Sequence, residues 1–161
     1  MLNAENYIGL ICEKGKSQKL LKGVYRQMLQ RDALFNAYGK LYPNKGALTK
    51  GVNEETVQGM SLEKIDLIIE RLREQTFQWQ PARRVKIPKK NSKKKRPLGL
   101  PTWSDKLAQE VIRVILEAYY EQIFSDLSHG FRPNRGCHTA LEEVKRWKGT
   151  VWFIEGDIKG I

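Results

Sequence analysis

Residues 83–101 read RRVKIPKKNSKKKRPLGLP, and nine of the first fourteen are Lys or Arg with no acid among them. Val85 and Ile87 on one flank, and Leu98 and Leu100 on the other, recur at every second position, which is the side-chain period of a strand. The pattern predicts two short strands joined by a basic turn centred on Asn91 and Ser92. A hairpin of this charge is suited to holding phosphate.

The rest of the composition points the same way. Of the 161 residues, 40% are hydrophobic, enough for the core of one domain or of two small pieces. A formal charge of +11 and a pI near 9.7 imply a polyanionic partner, because each cation that neutralises a phosphate also releases condensed counterion. Nucleic acid is the first candidate and an anionic membrane surface the second. The second is weakened because no apolar run approaches the roughly eighteen residues of a membrane span, and no signal-peptide layout opens the chain. Cys12 and Cys137 match no metal spacing and read as reduced thiols of a cytosolic protein; His129 and His138 are too scattered for zinc.

Along the chain, residues 4–42 carry a helical apolar spacing at Leu21, Val24, Tyr25 and Met28, then at Leu34, Tyr38 and Leu41. Gly15, Lys16 and Ser17 are expected to break this stretch into a short helix and a longer one. Its basic side (Lys14, Lys16, Lys19, Lys22, Arg26, Arg31) is either a solvated face or an RNA-contacting one. Residues 43–52 form a loop. A helix capped by Ser61 is expected to run to about Gln75 with Leu62, Ile65, Ile68, Ile69 and Leu72 inward, followed by an extended aromatic approach through Phe77, Trp79 and Pro81. Thr102 or Ser104 caps a second helix whose core face is Leu107, Val111, Val114, Ile115, Ala118 and Ile123. Residues 124–135 are a loop, residues 138–147 a helix ended by Gly149, and residues 151–158 (VWFIEGDI) a strand with Val151, Phe153, Glu155 and Asp157 on one side. A strand at a terminus with nothing to pair with is an incomplete sheet, so the polypeptide reads as the front part of something longer.

Glu155 and Asp157, alternate residues in an apolar strand, are either acids at a solvent-exposed strand end or a pair that holds a cation. Four stretches then carry a resemblance. NKGALTKGVNEETVQGMS with FQWQPARRVKIPK, the IPK to RPLGLP hairpin, FSDLSHGFRPNRGCHTALEEVKR and WFIEGDIKG resemble, in the same order, successive blocks of the reverse transcriptases encoded by group II introns. His129, where the second fingers block of that family commonly has Tyr, resembles the group IIA branch.

The resemblance implies an α+β fold: the fingers and first palm strand of a right-hand polymerase, with an N-terminal extension over residues 1–60, fingers over 61–149 containing the hairpin 83–101, and the start of the palm over 150–161. It implies that Asp157 is a catalytic ligand of two Mg2+ ions, with the backbone carbonyl of Ile158 on one of them, and that Lys89 and Arg96 grip the nucleotide triphosphate. RNA contacts are expected from Arg83, Arg84, Lys86, Lys90, Lys93, Lys94, Lys95, Arg132 and Arg135, with a solvated turn the alternative for Lys93 to Lys95 and a structural hydrogen bond the alternative for Arg132. The implied whole is an RNA-directed DNA polymerase and intron maturase in a bacterial cytoplasmic ribonucleoprotein. Its partners would be intron RNA, an RNA template, a DNA primer and dNTPs, with no membrane and with homodimerisation left open. The family's Tyr-x-Asp-Asp box does not occur in these residues, so the fragment alone is expected not to polymerise. Two other readings stand beside this one: a non-catalytic RNA-binding splicing cofactor, and the reverse transcriptase of another bacterial retroelement such as a retron.

Overall fold

The apolar spacing from Leu107 to Ala118 folds as a helix, and the larger part of the chain is built on that helix. The computed structural model describes residues 3–89, 93–156 and 158; the turn centre Asn91–Ser92, Lys90 and Asp157 lie outside the described residues. The elements are α1 (Ala4–Lys16), α2 (Val24–Met28), α3 (Arg31–Leu41), α4 (Leu62–Arg73), β1 (Arg83–Pro88), β2 (Lys95–Leu100), α5 (Trp103–Tyr120) and α6 (Cys137–Lys145), with one 3-10 turn at Val57–Gly59. Helices accompany a single described sheet of two strands, an α+β mixture. The chain divides into two units, Met1–Gln122 and Ile123–Ile161.

In the larger unit, Thr102 caps α5. Its hydroxyl accepts from Asp105 N at 3.2 Å and donates to Asp105 Oδ2 at 2.7 Å, so cap and first turn hold each other. Leu107, Val111, Ile115 and Ala118 pack with Ile11 of α1, Leu34 and Ala37 of α3, and Ile65, Ile68, Ile69 and Leu72 of α4. Each of the larger side chains contributes about 1.5–3 kcal/mol by leaving water. Val114 is only half-buried, and Ile123 lies past the end of the helix, 41% exposed. Ser61 caps α4 as expected, accepting from Lys64 N at 3.3 Å, but the buried stripe begins one turn later, and Leu62 is 55% exposed.

The N-terminal region breaks twice rather than once. The first break falls where expected, α1 ending at Lys16, but the longer helix is two. Gly23 takes φ +67°, a left-handed value that glycine adopts without penalty, to start α2. Gln30 is extended at ψ 135°, so α2 cannot run on into α3. Arg31 of α3 then pairs with Asp66 of α4 at 2.6 Å. Inside α5, Glu110 is 8% exposed and is held by Arg113 at 2.8 Å and Lys40 at 3.4 Å.

In the smaller unit, α6 starts and ends a little earlier than expected and buries none of its residues. Of the expected strand at residues 151–158, the described residues 151–156 have no regular structure. Val151, Trp152, Phe153 and Ile154 are 83%, 86%, 75% and 93% exposed, so neither alternate set is covered and no inward side exists. A strand is stable when a neighbour pairs with its N–H and C=O groups, and no described strand lies beside this one. Cys12 and Cys137 are free thiols, and among the described residues no helix is long and apolar enough to cross a membrane.

Candidate nucleic-acid interface

The basic hairpin forms, and its register sorts its charges. β1 and β2 are antiparallel, with Arg83 opposite Leu100, Val85 opposite Leu98, Ile87 opposite Arg96 and Pro88 opposite Lys95. One rung further out, Lys89 N donates to Lys94 O at 3.0 Å. Rungs of an antiparallel ladder alternate between hydrogen-bonded and not, so the Ile87–Arg96 and Val85–Leu98 rungs are bonded ones. Pro88 and Pro97 fall on the rungs between, where the ladder asks for no N–H.

Directly opposite residues share a face of the ribbon. One face carries Val85, Ile87, Leu98 and Leu100, and toward the turn it carries Lys89, Lys94 and Arg96. Lys89 and Arg96 are diagonal neighbours there, a spacing of roughly 7–8 Å between backbones that lets two long cations converge on one polyanionic group. The other face carries Arg84, Lys86 and Lys95 opposite Gly99, Pro97 and Pro88, which offer little side chain of their own. All these cations are exposed, as is Lys93 at the edge of the turn. What composition presents as one basic stretch is therefore two differently equipped surfaces.

Arg83 has another task. Its guanidinium donates to the carbonyl of Lys50 through two nitrogens, at 2.9 and 3.2 Å, tying the root of β1 to the loop before α4. In the smaller unit, Arg132 donates to the carbonyls of Ser125 and Ser128 at 2.7 and 2.9 Å, and its guanidinium lies over the Phe124 ring. Arg135 binds the carbonyl and the carboxylate of Asp126. Both arginines close the loop of residues 124–135 on itself, which for Arg132 is the structural alternative. His129, a residue of the same loop, has its Nδ1 2.9 Å from Thr139 Oγ1.

The acidic end is less furnished. Glu155 is exposed, Ile158 is 93% exposed, and Asp157 is outside the described residues. Among the described residues no cluster of three or more His, Cys, Asp or Glu could hold a metal ion. The described side chains by themselves therefore do not make a divalent-cation site.

Three residues that the sequence pattern did not single out prove structural near the ribbon: Trp103, Lys106 and Glu55. The Glu55 carboxylate accepts from Ser104 N at 3.2 Å and from Ser104 Oγ at 3.0 Å, completing the N-terminus of α5 from a distant loop. Acids beside a helix start are a usable signal only when they are close in sequence, and Glu55 is not.

Residues 87–161, beginning inside β1, match the family model described as reverse transcriptase (RNA-dependent DNA polymerase). The group II intron-encoded protein LtrA of Lactococcus lactis subsp. cremoris is 56% identical over 138 residues, 85% of this chain and 23% of its own length. Most of this chain is therefore similar to a group II intron-encoded protein, and its second half carries the reverse transcriptase match. An uncharacterized 91 kDa protein in the cob intron of Schizosaccharomyces pombe is 43% identical over 157 residues, which is 97% of this chain and 18% of the relative. Nuclear intron maturase 1, mitochondrial, of Arabidopsis thaliana is 41% identical over 59 residues, 36% of this chain and 8% of the relative. The chain thus spans less than a quarter of the length of these curated relatives and corresponds to the N-terminal region of the reverse transcriptase.

Proposed function

We propose that this chain is the nucleotide- and RNA-gripping front of an RNA-directed DNA polymerase that also serves as maturase for its own intron. The observation that carries the reading is the register of the ribbon, which puts Lys89 and Arg96 on one face and Arg84, Lys86 and Lys95 on the other. A Lys point charge and an Arg fork together suit a triphosphate, which has several oxygens to satisfy. A row of cations flanked by Pro and Gly suits the regular phosphates of RNA, and in this reading Lys90, Lys93 and Lys94 also contact RNA. Arg132 and Arg135, whose guanidinium groups are engaged by the loop backbone, shape the loop that meets RNA.

In this reading residues 1–60 are the N-terminal extension, 61–149 the fingers, and 150 onward the beginning of the palm of a right-hand fold. Asp157, with the carbonyl of Ile158, is a ligand for Mg2+, which when bound supplies charge stabilisation for phosphoryl transfer. Intron RNA, an RNA template, a DNA primer and dNTPs are the partners, in a cytoplasmic ribonucleoprotein.

The test uses the full-length protein. Asp157→Asn should abolish primer extension while leaving the affinity for intron RNA within twofold. Lys89→Ala with Arg96→Ala should raise the KM for dNTP about tenfold or more and leave RNA affinity nearly unchanged, as expected where charge-assisted hydrogen bonds to a phosphate are removed. Retained synthesis in Asp157→Asn would remove that residue from the metal site. A full-length protein that assists splicing but never extends a primer would favour the non-catalytic splicing cofactor, a reading supported by the second face of the ribbon, which needs no carboxylate.

A further inference from the structure

Residues 46–51 read GALTKG, a composition that by itself defines no fixed conformation. Nonetheless four carbonyls of this stretch receive side-chain donors from far along the chain. Trp103 Nε1 donates to Ala47 O at 2.6 Å. Lys106 Nζ donates to Gly46 O at 3.4 Å and Thr49 O at 3.3 Å, and Arg83 donates to Lys50 O at 2.9 and 3.2 Å. Gly51 then passes so close to the start of α5 that an added Cβ would stand 2.8 Å from Thr102 N and 2.9 Å from Pro101 O. The backbone oxygens are thereby turned toward α5 and β1, while Lys45 and Lys50 are exposed and Leu48 is 58% exposed.

Two cations, Arg83 and Lys106, are directed at neutral carbonyls of this one loop. Lys106 also lies 5.9 Å from the centre of the Trp103 ring, and burial lowers its pKa. Such placement gives little to long-range attraction and much to fixing a loop, since a donor from a rigid helix restrains each carbonyl it meets.

We propose that Trp103, Lys106 and Arg83 are positioning residues that lock the loop of residues 45–52 to the root of the basic ribbon, so that the two form one rigid RNA-binding surface with Lys45 as the loop's phosphate-facing cation. The inference rests on the RNA-binding reading above and adds the residues that pre-set its geometry. Pre-setting matters because a loop ordered before binding does not lose that freedom on binding.

The experiment measures the affinity of the full-length protein for a defined single-stranded RNA, with hydrogen exchange of the free protein alongside. Lys106→Met, which keeps packing against Trp103 but removes the donor, should weaken binding about fivefold and speed exchange of the amides of residues 46–51 about tenfold, with α4 amides unchanged. Arg83→Met should do the same, and Lys106→Arg should restore most of the affinity. Lys45→Ala in the Lys106→Met background should cost little further, because a displaced loop no longer brings Lys45 to the phosphate; in the wild-type background it should cost about threefold. Multiplicative losses in the double variant would show Lys106 touching RNA directly and would overturn the proposal. So would wild-type affinity and exchange in both Met variants, with the RNA-binding reading intact. Failure of the wild-type protein to bind RNA in a salt-dependent way would remove both.

Discussion

The ribbon of β1 and β2 and the segment of residues 151–156 differ in what surrounds their backbones, and the more apolar of the two is the one without regular structure. The ribbon has modest cover: Leu98 is 43% exposed, and only Val85, Ile87 and Leu100 are half-buried. It persists because each strand satisfies the other's hydrogen-bonding groups across a turn short enough to cost little closure entropy. Residues 151–156 carry Trp152, Phe153 and Ile154, more apolar surface than either ribbon strand, yet have no described strand beside them. Pairing decides which stretch becomes a strand, and hydrophobicity only decides which face it then buries.

The largest effect expected from this contrast comes from proline. Leu98→Pro removes an N–H from a bonded rung and should open the ribbon at a cost of about 3 kcal/mol, with its exchange protection abolished, whereas Ile154→Pro should stay within about 0.5 kcal/mol of wild type. Equal costs at the two positions would break the comparison. Next, Lys93, Lys94 and Lys95 changed together to Ala should weaken RNA binding and flatten its salt dependence by about 0.7–0.9 of a slope unit for each phosphate no longer neutralised. An unchanged slope would mean that the end of the ribbon nearest the turn touches no phosphate.

A smaller test asks whether the ribbon is independent of the helical core. Burial alone would raise the pKa of Glu110, but its hydrogen bond and charge interaction with Arg113, together with Lys40, outweigh this and leave it below the ordinary carboxylate value. Its stabilisation is therefore present above the unfolded carboxyl pKa and is lost as pH falls through the lower folded one. Glu110→Gln should cost about 1–2 kcal/mol at neutral pH, less than a fully buried pair because the Arg113 side chain is 40% exposed, and the deficit should vanish in acid. Thermal melts across pH read this, while ribbon amides, which exchange by local opening, should not respond.

Much of this was legible in the residues themselves. Ser61 and Thr102 announce helix starts, the four-residue and three-residue spacings of α4 and α5 announce their buried faces, and the alternation of residues 83–88 and 95–100 announces the ribbon. Less legible was the break between α2 and α3, where the apolar spacing continues through Leu29 and Gln30 makes no side-chain capping bond to the start of α3. The division of the ribbon's cations between two faces depends on register, which the turn sets. The roles of Trp103 and Lys106 are invisible in the chain because their partners are carbonyls 56 and 57–60 residues away, and a carbonyl leaves no mark in a sequence.

The placement of Pro88 and Pro97 has one more consequence. On a two-stranded ribbon the groups of non-bonded rungs point outward along its two edges, the positions where a further strand would dock. Each edge has one such donor deleted, and Lys and Arg occupy neighbouring outward positions. This β structure is thereby guarded against recruiting an extended segment from another molecule, and can stay exposed without seeding aggregates.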